Sequence, residues 1–175
     1  MASSLILTGF MGSGKTAVGE ELAQRLGWNF FDADPLVEKH LGMSIPEIFE
    51  VHGEPGFRRA EETVVKGLLE EAARSQEGAV VSLGGGAVTI PAIYEILMKE
   101  PLVVFLDEDI DQAFWRAGGG ERPLAQDLES FKSLFLERES LYRSVAKYIV
   151  DTRGLDVEQV AERIVKLIHE RTGIL

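Results

Sequence analysis

The chain has no cysteine among its 175 residues. A disulfide framework and any thiolate metal site are thereby excluded. Long apolar runs are missing too. Nothing approaches the roughly 20 residues of a membrane-spanning helix, and Pro91 and Pro101 flank the nearest candidate region. Positive charge is scarce: 18 Lys and Arg against 29 Asp and Glu leave a net charge of −11. The basic residues are scattered among carboxylates, as in Arg58-Arg59-Ala60-Glu61-Glu62. A phosphate-backbone binder needs a basic face that releases counterions, so neither nucleic acid nor membrane is expected as a partner. An acidic protein still binds a small anion when its few cations converge on one pocket. Met1-Ala2-Ser3-Ser4 puts no basic residue ahead of the first apolar stretch, so no secretory leader is expected. The expectation is a cytoplasmic monomer.

What is present is the composition of a globular domain, 45% hydrophobic and 27% charged, with a length suited to a single domain over residues 1–175. Strand-like runs alternate with helical patterns. Leu5–Thr8, Trp28–Phe31, Ala79–Leu83, Leu102–Leu106 and Tyr148–Val150 read as strands, several too continuously apolar for a half-exposed sheet. Thr16–Leu26 reads as a helix with Val18, Leu22 and Leu26 on one face. Ser44 and Glu47 form a capping-box pattern with Pro46 in the first turn, and a long helix is expected from about Phe57 to Arg74. Asp156 with Gln159 opens the last helix, which Gly173 closes. The alternation predicts an α/β fold: a three-layer α/β/α sandwich on a five-stranded parallel sheet.

Gly9-Phe10-Met11-Gly12-Ser13-Gly14-Lys15-Thr16 matches G-x-x-x-x-G-K-[ST] between the first strand and the first helix. Glycines let successive N–H groups turn inward as an anion nest, and the helix N-terminus adds its dipole. Lys15 can reach the β- and γ-phosphates and Thr16 can ligate Mg²⁺. The nucleotide is expected on Gly12, Ser13, Gly14, Lys15, Thr16 and Ala17.

Asp32-Ala33-Asp34 follows the second strand. In an extended backbone these carboxylates project to one side, one for the metal's water shell and one for a hydroxyl proton; alternatively Asp34, before Pro35, caps the next helix. Gly84-Gly85-Gly86 follows the third strand, as a ligand-contacting backbone or as a plain turn. Gly118-Gly119-Gly120-Glu121-Arg122-Pro123 reads as a mobile lid over about 112–126 that can bring Arg122 onto a transferring phosphoryl group, or as a surface loop. Arg58 follows the turn-like Gly53–Gly56 at a helix start, where the dipole disfavours a cation. Arg138 lies between Glu137 and Glu139, where an exposed ion pair is the plain alternative. His40, His52 and His169 lack ligand spacing and are expected to be structural or solvent-facing.

These motifs, taken in order, resemble those of the shikimate kinases along nearly the whole chain. They are Gly9–Thr16, Asp32-Ala33-Asp34, Gly53-Glu54-x-x-Phe57-Arg58-Arg59-x-Glu61, Leu83-Gly84-Gly85-Gly86-Ala87, Arg122-Pro123-Leu124 and Arg138-x-x-Leu141-Tyr142. The phosphate loop is widespread, whereas the Gly-Glu-x-x-Phe-Arg segment together with the triple glycine is far more specific.

The resemblance implies a P-loop kinase that transfers phosphoryl from MgATP to the 3-hydroxyl of shikimate. It implies Asp34 as acceptor-binding base within an acceptor segment of about 32–62. It further implies Arg58, Arg138, Gly85 and Gly86 on the acceptor's carboxylate and ring, and Thr16 and Asp32 on Mg²⁺. Arg122 would be the lid arginine, Arg116 the adenine stacker and Glu61 the partner that orients Arg58. Two features depart from the family pattern: a short, proline-free Arg153-Gly154-Leu155 loop and a glycine-rich lid. Rival readings are a gluconate-type kinase, against which the Arg58, Gly84–Gly86 and Arg138 set argues, and a regulator that lost catalysis, against which the retained Asp34 and Arg122 argue.

Overall fold

A computed structural model describes residues 4–118 and 127–172. Five strands, β1 (Ser4–Thr8), β2 (Asn29–Asp32), β3 (Ala79–Ser82), β4 (Val103–Asp107) and β5 (Tyr148–Asp151), form one sheet in the order β2-β3-β1-β4-β5. Every pairing is parallel. The expected five-stranded parallel sheet is thus present, with boundaries within about one residue of those read from the sequence.

Parallel strands joined by crossovers must be covered on both faces, and β1 shows how this chain does it. Ile6 packs on one side with Val81, Val103 and Phe105 of the neighbouring strands. Leu5 and Leu7 pack on the other side with Val80 and Val104. The first face is covered by α3 (Ile45–Arg74), α4 (Pro91–Lys99), α5 (Ile110–Arg116) and α6 (Leu128–Val145), through residues such as Leu68, Ile93, Phe114 and Tyr142. The second is covered by α1 (Lys15–Leu26) and α7 (Val157–Thr172), through Val18, Leu22, Val160 and Ile164. No helix among the described residues is long and apolar enough to cross a membrane.

Two local expectations change. Asp32 is the last residue of β2 and also the N-cap of α2 (Ala33–Leu41), its Oδ1 accepting from the Asp34 N–H at 3.2 Å. The cap is therefore Asp32, not Asp34. Asp34 lies in the first helical turn rather than in extended backbone. Between residues 44 and 74 there is one kinked helix instead of a helix, a turn and a second helix. Ser44 and Glu47 cap it as expected, the Ser44 N–H donating to Glu47 Oε2 at 2.7 Å. Only Gly53 departs from helical geometry, at φ 65° and ψ 179°, and Pro55 sits just beyond the bend. That positive φ is open to glycine and costly for residues with a β-carbon. The kink re-aims the chain so that Arg58 enters near the start of the second, longer arm. At the far end, Asp156 and Gln159 bond reciprocally at 3.0 and 2.8 Å, closing the expected capping box of α7; Gly173 lies outside the described residues.

Candidate active site

In open α/β sheets ligands bind beyond the carboxyl ends of the strands, where the strand order switches direction. Here β1 lies between β3 and β4, and the segments leaving β1, β2 and β3 meet at that edge. They enclose a cleft of about 330 Å³.

The segment after β1 is the glycine-rich loop. Gly12 has φ 77°, and a β-carbon there would stand 2.0 Å from the Ala113 carbonyl oxygen of α5, so only glycine fits. The loop closes on its own lysine. Lys15 Nζ donates to the Gly9 carbonyl at 2.9 Å, the Phe10 carbonyl at 2.8 Å and Ser13 Oγ at 3.4 Å. Gly14 precedes α1 as its N-cap, so the ammonium and the positive end of the helix dipole face the same space.

At the end of β2, Thr16 Oγ1 donates to Asp32 Oδ2 at 2.6 Å. This pairs a hydroxyl from α1 with a carboxylate one strand away. Asp34 follows in the first turn of α2 and also lines the cleft. The two acidic residues do share one cleft, brought there by a strand end and a helix start.

Arg58 and Glu61, one turn apart on α3, form a charge pair at the cleft. Arg58 donates to Glu61 Oε2 at 2.6 Å and to Glu54 Oε1 at 3.1 and 3.3 Å. Glu61 is 1% exposed, and its other oxygen, Oε1, has no hydrogen-bond partner. Burial pushes the Glu61 carboxyl above its ordinary value, the Arg58 guanidinium pulling the other way. Arg138 enters from α6. It is 6% exposed, so it is no surface ion pair; its neighbour Glu139 binds Arg143 instead, at 2.9 Å. Burial of a guanidinium is costly without compensating partners, and that of Arg138 stands over the Phe10 ring, 6.0 Å from its centroid.

The triple glycine after β3 packs against all of these. A β-carbon at Gly84 would lie 2.4 Å from Glu61 Oε1 and 2.8 Å from Asp34 Oδ1; at Gly85 it would lie 3.0 Å from the Met11 backbone nitrogen; at Gly86 it would lie 2.2 Å from two Arg58 nitrogens. The groups that approach this backbone closely are thus the protein's own. The turn brings Asp34, Arg58, Glu61 and the glycine-rich loop together.

Most of the residues singled out from the sequence meet in this cleft. Gly12, Gly14, Lys15, Thr16, Ala17, Asp32, Asp34, Arg58, Gly85, Gly86, Arg116 and Arg138 all line it. Ser13 sits buried beneath the loop. Arg116 is held by Glu108 in an ion pair. Arg122 and most of the lid lie outside the described residues. His40, His52 and His169 are exposed, as expected. Sequence reasoning missed the apolar wall made by Ile45, Phe49 and Phe57 and the contribution of Met11 and Ser82; the only sequence signal was that Phe49 and Phe57 flank the kink at a spacing that lets them stack, at 4.8 Å.

A phosphate loop and an anion-binding pocket that share one wall can hold a phosphoryl donor and an acceptor at once, which is the layout of a P-loop kinase. The shikimate kinase family profile matches residues 11–169. A shikimate kinase of Halorhodospira halophila is 42% identical over 171 residues, covering 95% of this chain and 94% of that protein. One from Francisella tularensis subsp. holarctica is 34% identical over 173 residues, covering 97% and 96%. Among solved structures, a shikimate kinase from Acinetobacter baumannii in complex with shikimate superposes with a TM-score of 0.89 at 35% identity, over 98% of this chain and 96% of that one. The Aquifex aeolicus enzyme gives 0.81 at 35% identity, over 97% and 99%. The chain belongs to the shikimate kinase family.

Proposed function

We propose that the protein transfers the γ-phosphoryl group of ATP to the 3-hydroxyl of shikimate, giving shikimate 3-phosphate and ADP on the route to chorismate and the aromatic amino acids. The observation that carries this reading is the meeting of Asp34, Arg58 and Arg138 in the same cleft as Lys15. A carboxylate-bearing acceptor calls for planar, bidentate guanidinium groups, which lysine supplies poorly. Two arginines from separate helices fix such an acceptor in orientation as well as position.

In this reading Arg58 and Arg138 hold the acceptor's carboxylate and ring against the backbone of Gly85 and Gly86. Asp34 accepts the hydrogen bond of the attacking hydroxyl and takes its proton as the P–O bond forms. Lys15 and the N–H groups of Gly12–Ala17 stabilise charge on the β- and γ-phosphates. Phosphoryl transfer depends mainly on such positioning and electrostatics. The family resemblance assigns Arg122 to the phosphates and Arg116, held by Glu108, to the adenine.

Thr16 and Asp32 fit Mg²⁺. They present a hydroxyl and a carboxylate oxygen 2.6 Å apart, both hard donors, and Mg²⁺ takes one or two protein oxygens while keeping several waters. Thr16 would ligate it directly and Asp32 through water; when bound, it neutralises charge across the β- and γ-phosphates. Residues 1–175 are read as one kinase domain, acting as a cytoplasmic monomer on small molecules.

The test is an ADP-release assay offering shikimate, quinate and gluconate side by side. Shikimate should exceed both others in kcat/KM by at least two orders of magnitude. A preference for gluconate would overturn the assignment.

A further inference from the structure

Arg58 sits close to the start of the second arm of α3, where the helix dipole disfavours a cation. The helix supplies a carboxylate on either side of it. Glu54, four residues earlier, follows directly on the kink at Gly53. Its Oε1 accepts from Arg58 Nε at 3.3 Å and from Nη2 at 3.1 Å. Glu61, three residues later, accepts from Nη1 at 2.6 Å. The two carboxylates differ in setting. Glu61 is buried and lines the cleft, whereas the Glu54 side chain is 44% exposed and stands outside the cleft lining.

We infer that Glu54 is a positioning residue for acceptor binding: it braces the Arg58 guanidinium from outside the cleft, so that the far end of the fork is presented over Gly86. The inference rests on the acceptor role proposed above for Arg58. A guanidinium carries five N–H groups in one rigid plane, and the three bonds to Glu54 and Glu61 take one on each nitrogen. Each terminal nitrogen keeps one further N–H. A β-carbon on Gly86 would stand 2.2 Å from both terminal nitrogens, so the end that carries these donors faces the Gly86 backbone. Arg58 and Gly86 both line the cleft. Two N–H groups at one end of a fork match the two oxygens of a carboxylate. Glu61 alone does not fix that direction, because a single bond at Nη1 lets the plane swing about it. The second contact, on the Nε–Nη2 edge, removes that freedom, and Cζ lies over the Phe57 ring, 5.2 Å from its centroid. The kink gives the brace its place. Gly53, at φ 65°, starts the new arm so that Glu54 comes one turn before Arg58, the favourable order for an acidic and a basic residue four apart.

Glu54→Ala removes the brace. Glu54→Gln removes only the charge, since the amide oxygen still accepts both N–H bonds. An exposed pair at this spacing adds little to stability, so both variants should melt within about 2 °C of the native protein. The expected result for Glu54→Ala is a KM for shikimate raised roughly five- to tenfold, below the loss for a direct ligand, with kcat and the KM for ATP within twofold. Glu54→Gln should keep the shikimate KM within twofold of native. That contrast separates bracing from charge: loss of a negative charge beside an anion pocket tightens carboxylate binding and acts alike in both variants. A shikimate KM in Glu54→Ala that falls or stays within twofold, or equal values in the two variants, overturns the brace. A substrate-independent readout is the Nε–H signal of Arg58 in nitrogen-edited spectra, identified by its absence in Arg58→Lys. Its heteronuclear Overhauser effect should report a rigid side chain in the native protein and in Glu54→Gln, and a mobile one in Glu54→Ala. A signal that stays rigid in Glu54→Ala overturns the brace as well. A native protein whose rigid Arg58 signal is lost in Glu54→Ala, but which does not phosphorylate shikimate, would overturn the assigned acceptor and leave the Glu54–Arg58 brace standing.

Discussion

Gly86 and Arg58 occupy adjoining space: a β-carbon on residue 86 would stand 2.2 Å from both terminal nitrogens of the arginine. The backbone at Gly86 has φ −100°, which any residue tolerates. The glycine is thus required by the guanidinium beside it and not by backbone conformation. Gly86→Ala should fold, because a guanidinium is the flexible end of a long side chain and can swing away. In doing so it leaves its 2.6 Å contact with Glu61 and its place in the cleft. The expected outcome is a shift of only a few degrees in Tm, with the shikimate KM raised at least tenfold and the ATP KM nearly unchanged. Unaltered shikimate affinity, measured by calorimetry, would show that Arg58 is not an acceptor ligand.

The two arginines should differ in what their removal does to the fold. Truncating one partner of a desolvated, hydrogen-bonded charge pair costs roughly 2–5 kcal/mol of binding, so Arg58→Ala and Arg138→Ala should each weaken shikimate binding by more than tenfold and spare ATP. Arg58→Ala also strips the buried Glu61 carboxylate of its cation, and breaking a buried pair costs up to about 3–5 kcal/mol of stability. That figure is an upper bound here, because Glu61 can take up a proton. Arg138→Ala leaves no carboxylate stranded in this way. Thermal denaturation at pH 7 should therefore rank Arg58→Ala below Arg138→Ala.

The layers of the fold were legible because burial on both faces of a parallel strand writes itself as an unbroken apolar run, as in Leu102–Leu106. The phosphate loop was legible because its glycines and Lys15 are local in sequence. Less visible was anything that depends on which segments the fold brings together. Gly84–Gly86 suggest from sequence a ligand-contacting backbone or a plain turn, and no local pattern tells that the β-carbons they lack would strike Glu61, Asp34, the phosphate loop and Arg58. The segment after the second strand reads as extended through Asp34, but a cap bond of 3.2 Å from the Asp34 N–H to Asp32 starts the helix at once. Gly53-Glu54-Pro55-Gly56 has the composition of a turn, yet only Gly53 leaves the helix; proline is tolerated in a first turn, and the bend makes Pro55 a first-turn residue. Tyr142 belonged to a recognisable motif, but its hydroxyl donates to the Gly85 carbonyl, a backbone partner that no residue pattern marks.

Glu61 should leave a pH signature in stability. Burial raises its folded-state carboxyl pKa above the ordinary 4.5. The folded protein thus binds a proton more tightly than the unfolded chain does, and stability falls as pH rises wherever the folded state holds the extra proton. The contribution is greatest below about pH 4.5 and declines as pH climbs through the raised folded value. Glu61→Gln lacks the titration and keeps the shape. The stability of the native protein minus that of the variant, from urea denaturation between pH 4.5 and 7.5, should decrease steadily with pH. A flat difference would mean that Glu61 titrates alike in both states.

Asp34 is the base in the proposed reaction, and the structure removes the helix-cap alternative for it. The residue that caps α2 is Asp32, whose carboxylate also accepts from Thr16 at 2.6 Å. Asp34→Asn therefore tests the base and leaves the cap in place. Asn keeps the shape and the capacity to accept a hydrogen bond from the attacking hydroxyl, but has almost no basicity. Loss of a general base typically costs about 10²–10⁴-fold. A loose phosphoryl transition state asks less of a base, which places the expected loss at the lower end. The prediction is a kcat at least a hundredfold down, with unchanged Tm and nucleotide affinity near normal. The drop should be in kcat more than in shikimate KM, because the proton moves only as the new bond forms. A loss below tenfold would leave Asp34 to orient the hydroxyl without taking its proton, and solvent would then be the proton's destination.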